Sequence, residues 1–181
     1  MGVKNYLIEG VSGTGKTTVA KELRRRGYHI IEGDNELAYR GYPDTGEPLS
    51  EADYERAINH PAWGQKHWIW NIEKIKAVIA DHSTAITFFC GGSRNFHHFI
   101  HLLDGVFVLE VDDLDLLLRR IEERVAVDPT DWGGRPEEIE IIKRVYATKE
   151  DTPTGIIIDA AAPLDVVVDT ILSKCTGADE G

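Results

Sequence analysis

Short unbroken apolar runs alternate along this chain with longer stretches in which apolar residues recur every three or four positions. The runs fall at 6–8, 28–31, 85–90, 106–111 and 155–158. Each is brief and flanked by helical patterning, as strands are when both faces of a parallel sheet are covered. The longer stretches predict helices at 16–26, 51–58, 62–81, 113–126, 136–149 and 163–174. The alternation implies an α/β chain of three layers, with a five-stranded parallel sheet between helices. Ligands of such sheets collect at the carboxyl ends of the strands. Candidate chemistry is therefore sought after the first strand, at 33–35, at 90–95 and beyond Val111.

The loop after the first strand is Gly10-Val11-Ser12-Gly13-Thr14-Gly15-Lys16-Thr17, which has the phosphate-binding pattern G-x-x-x-x-G-K-[ST]. It lies between an apolar run and a helix start, where glycines let backbone N–H groups turn onto an anion and the helix dipole adds positive charge. This context makes the fold a P-loop NTPase fold. It nominates Gly10, Ser12, Gly13, Thr14, Gly15, Lys16, Thr17 and Thr18 for ATP. Lys16 would reach the β- and γ-phosphates, and Thr17 would bind Mg²⁺.

The other strand ends add candidates. After strand two, Asp34 can accept a hydroxyl proton or order water on Mg²⁺; the competing reading is a helix cap. After strand three, Gly91 and Gly92 permit close approach of a ligand, and Arg94 can meet a phosphoryl group or anionic substrate; a tight turn capped by Ser93 competes. Cys90 fits a small buried residue better than a nucleophile. Arg120 and Arg124 are four apart, so they share a helical face and are placed on the nucleotide, whereas Arg119 fits a solvated face. The Pro- and Gly-bracketed stretch at 124–136 suits a short lid, with Arg135 either a lid arginine or a helix-start residue.

Composition narrows the partners. The 181 residues, 42% hydrophobic, suit a single domain over 1–181. The formal net charge is −11 with no basic cluster, which argues against nucleic acid. No apolar run nears membrane-spanning length, no leader is expected, and two distant cysteines suit a reducing cytoplasm. The small polar tail, 176–181, is expected to fray. A monomer or homodimer is expected.

Together these pieces resemble the small-molecule kinases of the P-loop fold: gluconate, shikimate and nucleoside-monophosphate kinases. The P-loop with Gly33-Asp34, Gly46-Glu47-Pro48-Leu49, Phe107-Val108-Leu109-Glu110 and Asp159…Pro163-Leu164 is especially similar to gluconate kinases. The Arg120/Arg124 spacing resembles the lid entry of nucleoside-monophosphate kinases, and Gly91-Gly92 the glycine turn of shikimate kinases. The resemblance implies an Asp after strand two that meets the substrate hydroxyl, here Asp34. It also implies a substrate cap, about 32–82. The His-Pro that gluconate kinases carry soon after Gly-Asp is absent, and the Arg pairs of nucleoside-monophosphate kinases are not evident.

Residues 32–58 hold eight acidic residues against Arg40 and Arg56. That balance disfavours an anionic acceptor. Trp63 and Trp70, seven apart, are expected on one helical face, with one of the two in the core and Trp63 assigned to the substrate side. His97, His98 and His101 are placed on a helix with no carboxylate at matching spacing, hence as surface or substrate-side residues. The expected activity is transfer of the γ-phosphoryl of ATP to a hydroxyl of a neutral or cationic small molecule, such as a nucleoside, aminocyclitol or natural product. A sugar-acid or nucleoside-monophosphate kinase is the alternative. A regulatory NTPase without an acceptor is a second, disfavoured because no N-K-x-D and no appended domain is found.

Overall fold

The computed structural model describes residues 3–176. The tail expected to fray lies outside the described residues, apart from Thr176, which closes the last helix. Five parallel strands form the central sheet: β1 (Lys4–Gly10), β2 (His29–Glu32), β5 (Ile86–Cys90), β6 (Gly105–Glu110) and β7 (Ile156–Asp159), in the order β2-β5-β1-β6-β7. The strand order reverses beside β1, which puts the P-loop at the switch point where ligands bind. Leu7, Ile8, Phe88, Phe89, Phe107 and Leu109 are each 0–1% exposed, as strands covered on both faces require. One face is covered by α1 (Lys16–Arg25), α6 (Leu114–Val127), α7 (Pro136–Thr148) and α8 (Leu164–Thr176), which contribute Val19, Leu23, Leu117, Ile121, Ile142, Val168 and Ile171 to one core. The opposite face packs Leu7, Phe89 and Val108 against Leu37, Trp70, Ile75 and Phe99.

Between β2 and β5 the chain forms a separate small unit. It comprises α2 (Gly33–Glu36), β3 (Ala38–Arg40), α3 (Glu51–Asn59), α4 (Pro61–Gln65), β4 (Trp68–Trp70) and α5 (Ile72–Ala80), with β3 and β4 pairing antiparallel. The single helix expected over 62–81 is therefore not formed. Pro61 starts α4. Trp68-Ile69-Trp70 is aromatic and β-branched and pairs with Ala38, Tyr39 and Arg40 as a strand. Asn71 then starts α5, its side chain accepting from Lys74 N at 3.0 Å. Trp63 and Trp70 consequently share no helical face. The histidines at 97, 98 and 101 lie in two single 3₁₀ turns rather than one helix.

Trp70 is wholly buried and stacks on Phe99 at 5.6 Å. Its ring fills the space beside Gly33 so tightly that a Cβ there would lie 1.9 Å from Cζ2. The buried Asn95 side chain grips its backbone, accepting from Trp70 N and donating to Trp70 O, both at 3.0 Å. These two bonds tie the β3–β4 ribbon to the loop after β5. Asn95→Ala removes both and strands two backbone groups, which should cost about 2 kcal/mol. Urea unfolding measures this, and an unchanged midpoint would contradict the role assigned to Asn95.

Candidate functional site

The P-loop is built by geometry more than by side chains. Gly13 and Gly15 sit at φ +89° and +98°, and Gly15 caps α1 without a side chain. The first-turn N–H groups at Lys16, Thr17 and Thr18 have no intrahelical acceptor and face outward, as an anion site requires. Thr14 differs from the expectation in one respect. Its buried hydroxyl donates to Val11 O at 2.7 Å, so it shapes the loop rather than offering itself to a ligand.

Lys16 folds back, with 19% of its side chain exposed, donates to Gly10 O and lies 3.9 Å from Glu9 Oε1. Glu9 was not singled out from sequence. It is 4% exposed, and its Oε1 accepts Gly10 N–H at 2.8 Å while Oε2 is buried without a hydrogen-bond partner. Burial pushes its carboxyl above the usual range, opposed by Lys16 and then Arg94. Burial also lowers the Lys16 ammonium, opposed chiefly by Glu9. Gly92 is the reason Glu9 fits, since a Cβ there would sit 2.8 Å from Oε2 and 3.1 Å from Arg94 Nη2. Arg94, 13% exposed, reaches Asp151 at 3.5 Å on its other side. A line of alternating charge, buried at Glu9 and open to solvent at Asp151, thus runs Lys16, Glu9, Arg94, Asp151. Its one sequence signal was an acid inside the run Tyr6-Leu7-Ile8-Glu9.

Asp34 is exposed in the first turn of α2, and Trp68 Nε1–H donates to its Oδ1 at 3.0 Å. Gly91 stands behind it, where a Cβ would approach Oδ1 to 3.5 Å. Trp68 also faces Arg40, whose guanidinium lies 5.5 Å from the ring centroid and donates to Gly64 O at 3.1 Å. The P-loop, Asp34, Trp68, Gly92 and Arg94 line one open cleft of about 1300 Å³. Trp63 and Gly91 are not among its lining residues. Trp63 instead stacks on His67 at 3.8 Å with the Arg56 guanidinium 4.4 Å from its ring. Of the charged residues counted at 32–58, Asp34 and Arg40 line the cleft. Glu32, for example, pairs with Arg24 at 2.7 Å, so the simple excess of acids does not describe the cleft.

Arg120 and Arg124 both line the cleft from α6. Arg120 donates to Ala160 O at 3.1 Å. Arg124 donates to Ser12 Oγ at 3.0 Å and Trp132 O at 2.6 Å, clasping the P-loop to the loop between α6 and α7. Arg135 is a helix-start residue. Its Nε donates to Glu138 at 3.0 Å, and Glu138 also accepts from Gly133 N. Burial holds the Cys90 thiol at about 12, so it stays protonated and is no nucleophile.

This arrangement defines a P-loop nucleotide-binding domain with the architecture of the small-molecule kinases. The chain belongs to the AAA domain family (AAA_18), whose model matches residues 7–143. A segment of 58 residues is 48% identical to gluconokinase of Gluconobacter oxydans (strain 621H), covering 29% of this chain and 33% of that protein. The chain therefore spans about a third of the length of that curated relative. Solved structures share the fold over nearly the whole chain. Gluconokinase from Sinorhizobium meliloti 1021 matches at TM-score 0.52 and 17% identity, covering 98% of each chain. Shikimate kinase from Acinetobacter baumannii, in complex with shikimate, matches at 0.58 and 14%, covering 99% of this chain and 96% of that one. No helix among the described residues is long and apolar enough to cross a membrane.

Two measurements probe the site. Arg124→Ala removes the clasp, and charge-assisted bonds of this kind contribute about 1.5–3 kcal/mol each. Amides at 128–135 should then exchange at least about tenfold faster, and unchanged protection would refute the clasp. Glu9 gives a pH signature. Its folded pKa lies above the unfolded value, so its contribution to stability is full below the unfolded value of 4.5 and declines as pH rises through the raised one. Glu9→Gln cannot titrate, so as pH rises above 4.5 the melting temperature should shift in the variant's favour relative to the native protein. A constant difference would mean that Glu9 is not held in a charge-penalising environment.

Proposed function

We propose that this protein transfers the γ-phosphoryl group of ATP to a hydroxyl of a small, uncharged or cationic molecule. The observation that carries this reading is Asp34, a carboxylate oriented by Trp68 in the same cleft as the P-loop. The P-loop N–H groups and Lys16 hold the phosphates, for which Lys16 leaves Glu9 and the Gly10 carbonyl. The donor set also suits Mg²⁺, since the exposed Thr17 hydroxyl has no hydrogen-bond partner among the described residues and Asp34 offers a second hard oxygen. When bound, that ion neutralises charge on the triphosphate. Asp34 accepts the acceptor's proton as its oxygen attacks the γ-phosphorus and the bond to the bridging oxygen breaks. Arg120 and Arg124 balance charge on the nucleotide, with 124–136 as the lid and 32–82 as the cap. Catalysis here rests on positioning and electrostatics.

The acceptor reading now rests on pairing rather than on a count of charges. Asp151 and Glu9 flank Arg94, although its buried Nε has no hydrogen-bond partner, and Arg40 is taken up by the Trp68 ring and the Gly64 carbonyl, while the exposed Asp34 carboxylate suits a neutral or cationic molecule. A sugar acid is the second reading, favoured by the local identity to gluconokinase.

Acceptor-dependent ADP release tests the proposal, using nucleosides, aminocyclitols and neutral sugars beside gluconate, shikimate and nucleoside monophosphates. Turnover is expected with a neutral or cationic acceptor. Turnover with gluconate would establish the second reading, and ADP release indifferent to every acceptor would overturn both. Lys16→Ala should lower the productive rate by about a hundredfold or more, because it removes a charge that stabilises the transferring group. Near-native turnover would reject the P-loop assignment.

A further inference from the structure

The geometry points to a second ion site outside the cleft: a zinc-class divalent site made by Asp44, His97 and His98. One ligand atom from each of these exposed side chains lies within 4.8 Å of the others. They come from distant stretches of sequence. Asp44 is at the tip of a turn after β3, closed by Gly46 N donating to Tyr42 O at 2.7 Å. His97 and His98 belong to the 3₁₀ turn after β5, with ring centroids 4.3 Å apart. The carboxylate absent from the histidines' own segment is thus supplied by the cap.

Two further observations favour an ion. None of the three side chains has a hydrogen-bond or ion-pair partner among the described residues, although they converge. Their chemistry is also selective. Two imidazoles with one carboxylate suit zinc, nickel or copper, whereas magnesium prefers an all-oxygen shell. Tetrahedral zinc with bonds near 2 Å needs ligand atoms about 3.4 Å apart, so modest side-chain rotation closes the present spacing. Three protein ligands leave a fourth position for water. An ion there would staple the turn at 42–46 to the segment whose Asn95 grips Trp70, and so fix the cap against the sheet.

The three residues do not line the nucleotide cleft, so this site stands or falls apart from the kinase reading. The cysteines do not compete, because both are buried with thiols pushed up to about 12 and about 11. The test is calorimetric titration of the chelator-treated full chain with Zn²⁺, with Mg²⁺ as the control. One saturable site per chain is expected for Zn²⁺, with no competition from Mg²⁺. Asp44→Asn, His97→Ala and His98→Ala should each weaken it by at least about tenfold, by analogy with the loss from disturbing a metal ligand's support. Zn²⁺ should also slow hydrogen exchange at 42–49 in the native protein and not in Asp44→Asn. Mg-ATP affinity should be unchanged in all three variants, which shows that they remain folded. Absence of saturable Zn²⁺ binding, or binding that survives the double substitution of His97 and His98 by Ala, would overturn the site.

Discussion

The candidate site depends on where the Trp70 ring sits. It packs beneath the ligand-side ends of two strands at once, against Gly33 after β2 and Gly91 after β5. No side chain larger than hydrogen fits at Gly33, because the indole already occupies the Cβ position. Interiors packed to crystal-like density do not yield easily to such an intrusion. Asp34 follows Gly33 directly, so the same ring sets the level from which the carboxylate enters the cleft. Asn95 holds the backbone of Trp70 from the other side, and Trp68, two residues earlier, donates to Asp34. The β3–β4 ribbon is therefore more than a covering element: one tryptophan packs beneath the turn that carries Asp34 and another donates to its carboxylate from the side.

Charge in the cleft follows a second constraint. Leaving an ionised group buried and unpaired costs far more than a paired one. Lys16, Glu9, Arg94 and Asp151 alternate in sign, and this accommodates two cations and a buried carboxylate without net charge. The proposed reaction changes this balance, since in it Lys16 turns toward the triphosphate and leaves Glu9 beside Arg94. The acceptor in that reaction meets Arg94 flanked by carboxylates and the exposed carboxylate of Asp34, a setting that suits an uncharged or cationic molecule.

The sheet was legible because its signals are local and repeated. The five apolar runs became the five strands with ends moved by one or two residues, and the P-loop pattern located the nucleotide end. The region between β2 and β5 was less legible. Apolar residues at 62–81 keep helical spacing, yet Trp68-Ile69-Trp70 pairs with Ala38-Tyr39-Arg40, a long-range contact that periodicity does not encode. The same limit hid Trp68 as the partner of Asp34 and led to Trp63 in its place. Glu9 escaped notice because a single acid inside a strand shows its role only once Gly92 and Arg94 are brought against it. Counting acids at 32–58 ignored direction, and most of those side chains turn away from the cleft.

The central claim is that Asp34 serves the acceptor, and Mg²⁺ only through its water shell, while the P-loop with Arg120 and Arg124 holds the nucleotide. Asp34→Asn keeps the shape of the side chain and its bond to Trp68 but removes the base. Binding of a non-hydrolysable Mg-ATP analogue and acceptor-dependent turnover, measured on the same preparation, separate the two roles. The account predicts nucleotide affinity within about threefold of the native value and turnover lower by about a hundredfold or more. Full turnover in the variant, or affinity and turnover falling together, would contradict it.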